Sequence, residues 1–221
     1  MQRTLRDHAK EESSTAIDAA INTLGVKQKQ ALKCQDNNVL RGIEGEAAYT
    51  YFGVFDHLII AQKEDFYFKG RNRRPPMDNV NALLSFVYTL LAHEVRSALE
   101  SVGIDPCVGF LHTDRPGRQS LALDMMEEFR PYLADRLVLT LINRRQIDAT
   151  GFISREAGGI IMNDDTRKVL LTAWQKRKQE EIMHPFLQVM VPVGLLPYCQ
   201  ALLLARYLRG DLDSYPVFLN K

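Results

Sequence analysis

The 221-residue chain carries 28 Lys and Arg against 27 Asp and Glu, a formal net charge of +1. That balance excludes a uniformly basic coat, so any contact with nucleic acid has to come from local clustering of charge. A composition 46% hydrophobic and 9% aromatic excludes a disordered tail protein.

In chain order, Ala9, Ala16, Ile17, Ala20, Ile21 and Leu24 fall on one face and predict a helix over residues 5–24, stopped by Gly25. Residues 39–62 read as a long, mostly buried helix. Its Gly42, Gly45 and Gly53 predict that another group approaches the backbone closely. Pro75-Pro76 breaks the loop FYFKGRNRRPPMD, and Asp78 is the expected N-cap of a strong helix that ends at Gly103. Residues 107–112 form a short apolar run bounded by Pro106 and Asp114. Residues 120–146 read as helix interrupted near Arg130-Pro131. Phe152-Ile153 and Ile160-Ile161-Met162 flank Gly158-Gly159 and predict a small hairpin. A charged helix over 165–183 and an apolar one over 195–208 complete the pattern. The expected fold is mainly α, a single helical domain over residues 1–221 with one small β-hairpin.

Cys34, Cys107 and Cys199 form no C-x-x-C pair, so neither a disulfide framework nor a zinc knuckle is indicated. The start MQRTLRDHAKEE has no apolar core behind it, so no secretory leader is expected and the expected location is cytoplasmic. The most apolar segment, 189–196, is short and broken by Pro192, so no membrane span is expected.

Three places set metal-competent side chains among apolar neighbours: Glu44 in RGIEGEAAYTYF, His112 at the end of PCVGFLH, and Asp124 with Glu127 in SLALDMMEEFRP. Asp124 and Glu127 are three apart and share a face if helical. Glycines beside Glu44 would let a ligand approach, and a histidine closing an apolar run is expected on a rigid element. One imidazole with carboxylates suits Mn²⁺, or Mg²⁺ with retained waters, whereas no thiolate set selects zinc. The competing reading of each residue is plainer: a solvated Glu, a structural His, an exposed acidic face. No P-loop pattern is present.

The blocks LRGIEGEAAYTYF, RRPPMDNVNALLSFVYTLL, VGFLHTDRPGRQSLALDMMEEFRP and LLLARYLRGDLDSYPVFL resemble, in order, the CRISPR-associated integrase family that inserts new spacers. The tail and the RRPPMDNVNALLSF block resemble most the version found in type I-C systems. The resemblance implies a helical catalytic domain that binds Mn²⁺ or Mg²⁺ through Glu44, His112 and Glu127, with Asp124 as a supporting acid of the catalytic group. It implies a metal-dependent DNA integrase and endonuclease, in which a spacer 3′-hydroxyl, or water, attacks a repeat phosphodiester. Double-stranded and branched DNA, the small second adaptation protein and a second copy in a homodimer are the implied partners. Residues 1–38 resemble the linker and first helices of that domain. The resemblance implies a β-rich amino-terminal domain in the family that is expected to be lacking here, so a second reading is a DNA-binding or scaffold piece without activity of its own.

Basic residues cluster despite the neutral total. Lys69, Arg71, Arg73 and Arg74 adjoin Phe66, Tyr67 and Phe68, and Arg115 and Arg118 follow His112. Phosphate neutralisation and base stacking are the expected contacts. Tyr88 matches a family position near the active site. Arg144-Arg145 and the group Arg167, Lys168, Lys176, Arg177, Lys178 are further candidates, the last three reading equally as a solvated helix face. Trp174 is assigned to packing, and His57, His93 and His184 receive no role.

Overall fold

A computed structural model describes residues 1–8, 14–113, 115–156 and 158–219. Ala9 and Asp114, both used in reading the sequence, lie outside these residues. The described chain is mainly helical and divides into two compact units, Met1–Ser85 with Val138–Val169, and Phe86–Leu137 with Leu170–Lys221.

The first unit opens with helices α1 (Gln2–His8), α2 (Ser14–Ala31) and α3 (Asn37–Gly53). The helix α2 runs straight through Gly25, which corrects the expected stop. The good helix formers of KQKQA outweigh the roughly 1 kcal/mol that one glycine costs, and Lys27 pairs with Glu46 on α3. At α3, the Asp36 carboxylate accepts from Asn38 N at 2.7 Å and Val39 N at 3.0 Å. These bonds hold its pKa below the ordinary value. The helix stops at Gly53, not at residue 62, and Tyr51 is its buried residue. Beyond the turn Phe55–Leu58, Asp56 takes Phe68 N at 2.7 Å and Lys63 Nζ at 2.8 Å, which folds the chain back. Among the described residues nothing lies within 4 Å of a Cβ built at Gly42, Gly45 or Gly53, so no close approach explains these glycines.

Helix α4 (Asn79–Ser101) begins as expected, with Asp78 Oδ1 accepting from Asn81 N at 2.7 Å. The chain passes into the second unit within this helix. The α4 terminus is a Schellman turn: Gly103 has φ +79°, Ile104 N reaches Leu99 O at 3.0 Å and Gly103 N reaches Glu100 O at 3.1 Å. Val87, Leu91, Val95 and Leu99 recur every four residues and are buried. Helix α5 (Ser120–Met126), a π-type turn (Arg130–Asp135) with Pro131 near its start, and α6 (Arg136–Asn143) form the helix predicted over 120–146 with its interruption near Arg130-Pro131, ending three residues earlier than expected.

Back in the first unit, β1 (Phe152–Ser154) and β2 (Ile160–Met162) pair antiparallel, with Ile153 opposite Ile161. This is the predicted hairpin, and Ile160 N donates to Pro76 O at 2.8 Å. A Cβ on Gly159 would lie 2.7 Å from Pro75 Cβ, so this glycine lets the proline loop dock. Helix α7 (Asp164–Gln179) starts with Asn163 Oδ1 accepting from Thr166 N at 2.8 Å.

The predicted helix over 165–183 is four residues too long. Glu181–Met183 is strand β3, paired with β4 (Met190–Pro192) in a second hairpin that the sequence reading missed. Pro185 cannot continue a helix, and Gln188 takes a positive φ of 56° in the turn. Helix α8 (Leu196–Leu208) ends the regular structure. Trp174 is buried, as its packing assignment requires.

Candidate metal centre and its surroundings

His112 lies in a loop and not on a strand: residues 107–113 form no regular element, and Val108 and Phe110 are exposed. The rigidity expected of an apolar run comes instead from Asp124 on α5. Its Oδ2 accepts from Phe110 N at 2.7 Å and Leu111 N at 2.9 Å. Its Oδ1 accepts from His112 N at 3.0 Å and meets His112 Nδ1 at 2.5 Å. Three successive backbone N–H groups and one ring nitrogen thus converge on a single carboxylate, a nest closed by a side-chain anion. Gly109 permits the fit: a Cβ there would lie 2.7 Å from Ser120 Cβ and 2.9 Å from Asp124 Oδ2. Pro106 O fixes the other end of the loop by accepting from Leu121 N at 2.9 Å and Ala122 N at 3.2 Å.

The bond to Asp124 assigns the ring tautomer. A carboxylate can only accept, so Nδ1 carries a hydrogen, and in the neutral form of the ring the lone pair is on Nε2. A ligating histidine is held in this way, by a carboxylate behind its distal nitrogen. Asp124 is thereby committed to orienting His112, and both of its oxygens are already occupied.

Glu127 caps the end of α5 and pairs with Arg130. The Arg130 guanidinium lies 5.0 Å from the centroid of the Tyr88 ring. Tyr88 OH donates to Asp135 Oδ1 at 2.6 Å, and Asp135 is fully buried. Glu127, Arg130, Tyr88 and Asp135 therefore form one connected set in the second unit. From sequence Arg130 marks only the helix interruption, although its spacing of three from Glu127 is a readable pairing signal.

Glu44 sits on α3 in the first unit, half-buried, whereas His112, Asp124 and Glu127 belong to the second. Among the described residues, no three His, Cys, Asp or Glu side chains cluster closely enough to hold a metal ion. The donor chemistry nonetheless fits a hard divalent ion: one imidazole lone pair held in place and carboxylates with no competing thiolate.

The basic candidates separate into two kinds. Arg71 is built into the fold, with Nη1 donating to Asn81 Oδ1 at 2.6 Å and Nη2 to Ser85 Oγ at 3.1 Å. Asn81 Nδ2 in turn donates to Gly70 O at 2.8 Å and Asp78 Oδ2 at 2.7 Å, so this network stiffens the loop that carries Arg73 and Arg74. Arg73 and Arg74 are exposed. Arg115 is also exposed; its carbonyl accepts from Arg118 N at 2.9 Å in a turn completed by Gly117 at φ +73°. Arg167 pairs with Asp164, Arg177 with Glu180 and Lys178 with Glu94, the last at 2.5 Å, so these three bind acidic partners of their own.

A further polar network was invisible in the sequence. Glu128 Oε1 accepts from Tyr215 OH at 2.6 Å, and its Oε2 accepts from Gln200 Nε2 and Phe218 N, each at 2.8 Å. Burial pushes the Glu128 pKa up, opposed by these three hydrogen bonds. His184, which received no role, is fully buried with Nε2 3.2 Å from Gln200 Oε1. Burial holds its pKa below the ordinary value. No local spacing signals a bond between residues 87 apart.

The family model described as CRISPR associated protein Cas1 matches residues 1–176. The chain is 56% identical over 219 residues to CRISPR-associated endonuclease Cas1 1 of Chlorobaculum tepidum, covering 99% of this chain and 64% of that relative. It is 49% identical over 221 residues to CRISPR-associated endonuclease Cas1 of Leptospira interrogans, covering 100% of this chain and 87% of that one. It therefore spans less than two thirds of the first relative's length. Among solved structures, a chain of a Cas6-RT-Cas1–Cas2 complex matches with a TM-score of 0.82 at 26% identity, over 98% of this chain and 23% of that one.

Proposed function

This chain belongs to the Cas1 family of CRISPR-associated proteins, and from that premise we propose that it carries the catalytic centre of a metal-dependent DNA integrase and endonuclease of CRISPR adaptation. The observation that carries the reading is the Asp124 carboxylate holding the His112 ring through Nδ1, which leaves Nε2 outside that bond, while Glu127 stands one helical turn further on. Glu44, His112 Nε2 and Glu127 are the groups that would hold Mn²⁺ or Mg²⁺. Such an ion, when bound, neutralises phosphate charge and polarises the phosphodiester.

The chain's own residues supply the rest. Asp124 holds the ring through Nδ1, and Arg130, lying over the Tyr88 ring, pairs with the Glu127 carboxylate. Arg115 and Arg118, on the turn that follows His112, take phosphate oxygens of the target strand. Arg73 and Arg74, on their stiffened loop, take more distant phosphates and make binding salt-dependent. A spacer 3′-hydroxyl attacks the repeat phosphorus; a new phosphodiester forms, the old P–O bond breaks, and the proton leaves with the displaced strand's 3′-oxygen. Water in the same position gives cleavage.

We assign double-stranded and branched DNA as substrate. The likeness to a chain from a complex that contains Cas2 supports the small second adaptation protein as partner. A homodimer and a type I-C setting complete the proposal. No helix among the described residues is long and apolar enough to cross a membrane.

The test is strand transfer of a labelled duplex with a free 3′-hydroxyl into repeat DNA, with Mn²⁺ and the small second protein present. His112→Ala and Glu44→Ala are expected to abolish the joined product. Joining that survives both substitutions contradicts the assignment. Salt-sensitive DNA binding without any joining by wild type favours the scaffold reading instead.

A further inference from the structure

Glu127 sits at the junction between a short helix and a π-type turn. Helix α5 has only seven residues, and Glu127 is already its C-cap. Glu127 N reaches Asp124 O at 3.3 Å, and the next two amides bond Met125 O at 3.2 Å and Met126 O at 3.0 Å, the tighter spacing of a closing turn. A π-type turn begins at Arg130. Side-chain contacts act on this junction in addition to its backbone bonds.

The adjacent residue supplies such contacts. Glu128 binds the irregular C-terminal segment through Tyr215 OH and Phe218 N, and the Gln200 amide ties the two together by also donating to Tyr215 OH at 2.8 Å and Pro216 O at 3.1 Å. The Phe218 ring packs 5.7 Å from Phe129, 6.0 Å from Tyr132 and 5.9 Å from His184, and is 3% exposed. The segment thus grips residues 128, 129 and 132, on both sides of Arg130. Consecutive Cα atoms are about 3.8 Å apart, so a displacement of Glu128 is carried directly to Glu127.

We infer that residues 212–219 act as a strap that positions Glu127, with Glu128 and Tyr215 as positioning residues; the inference rests on Glu127 being a metal ligand. The strap fixes both Glu127 and its partner Arg130, so its docking sets metal affinity from a site that touches neither metal nor DNA.

Tyr215→Phe and Glu128→Gln test this in the 221-residue chain. The first deletes one hydroxyl; the second keeps side-chain volume and one acceptor oxygen. Three quantities are compared with wild type: the melting temperature, hydrogen exchange of the peptide over 125–130 without metal, and Mn²⁺ affinity from the free-ion paramagnetic signal. Each variant is expected to unfold cooperatively, with a melting temperature roughly 3–6 °C below wild type. Exchange over 125–130 rises and Mn²⁺ affinity falls, each roughly tenfold, as loss of one hydrogen bond to a charged group allows. Faster exchange at Phe218 with unchanged exchange over 125–130 overturns the inference, because the strap would then be released without moving Glu127. A general loss of protection throughout the chain also overturns it, leaving a purely structural role. If wild type binds no Mn²⁺, the ligand assignment of Glu127 fails, and the exchange measurement still decides whether the strap positions that segment.

Discussion

Asp124→Asn isolates the contact on which the site depends. The amide has one acceptor oxygen where the carboxylate had two, so its orientation has to be decided. With the oxygen toward Phe110 N and Leu111 N, the NH₂ faces His112 N and Nδ1, and one backbone donor loses its acceptor. In the flipped orientation two backbone donors lose theirs. At about 1–3 kcal/mol per unsatisfied donor, the first orientation wins. The NH₂ group then donates to Nδ1, which has to shed its hydrogen, and Nε2 becomes protonated. The variant therefore loses about 1–3 kcal/mol of stability, or roughly 2–12 °C in melting temperature for a chain of this size. It also loses the lone pair that would meet a metal. A long-range proton–nitrogen spectrum of histidine-labelled protein separates protonated from bare ring nitrogens. At alkaline pH, where the ring is neutral, Nε2 should be bare in wild type and protonated in Asp124→Asn. A bare Nε2 in the variant, with unchanged melting, refutes the reasoning.

Gly109→Ala places a methyl 2.7 Å from Ser120 Cβ and 3.0 Å from Ser120 C, neither of which can swing away. Overpacking of this kind costs about 1–3 kcal/mol, readable by chemical denaturation. Arg73→Gln with Arg74→Gln should leave stability unchanged and lower the salt slope of DNA binding by about two. Arg71→Gln should instead destabilise, because its guanidinium serves Asn81 and Ser85. His184 is kept neutral by burial, so its folded pKa lies below the unfolded value of about 6.5. The unfolded chain then takes up the proton first. Stability is full above pH 6.5 and declines as pH falls toward the folded pKa, and His184→Gln should flatten that decline in denaturation curves measured from pH 7.5 to 5.

The parts of the fold that were legible in sequence are those governed by neighbours in the chain. Asp78 and Gly103 bracket α4 by capping chemistry that a few residues supply, and the Phe152/Ile160 hairpin follows from strand formers around a Gly-Gly turn. Gly25 misled because a single glycine is a weak stop inside strong helix formers. The β3–β4 hairpin was missed because a charged helical pattern runs directly into Glu181 and only Pro185 marks the change. The two-unit division was not legible either, since its boundaries fall inside α4, α6 and α7. At the site, residue types pointed to Glu44, His112, Asp124 and Glu127, and the family resemblance made Asp124 the supporting acid, but neither indicated what Asp124 binds. Its carboxylate takes backbone amides 12–14 residues away, a pairing that no local spacing announces. The Glu128 network joins residues that no local pattern links.

The central claim is that His112, oriented by Asp124, presents Nε2 to a divalent ion. Pulsed paramagnetic resonance of Mn²⁺ bound to protein labelled with ¹⁵N-histidine tests it most directly. One imidazole nitrogen coupling is predicted, lost in His112→Gln and retained in His57→Gln. Bound Mn²⁺ with no nitrogen coupling, or with a coupling that survives His112→Gln, contradicts the account.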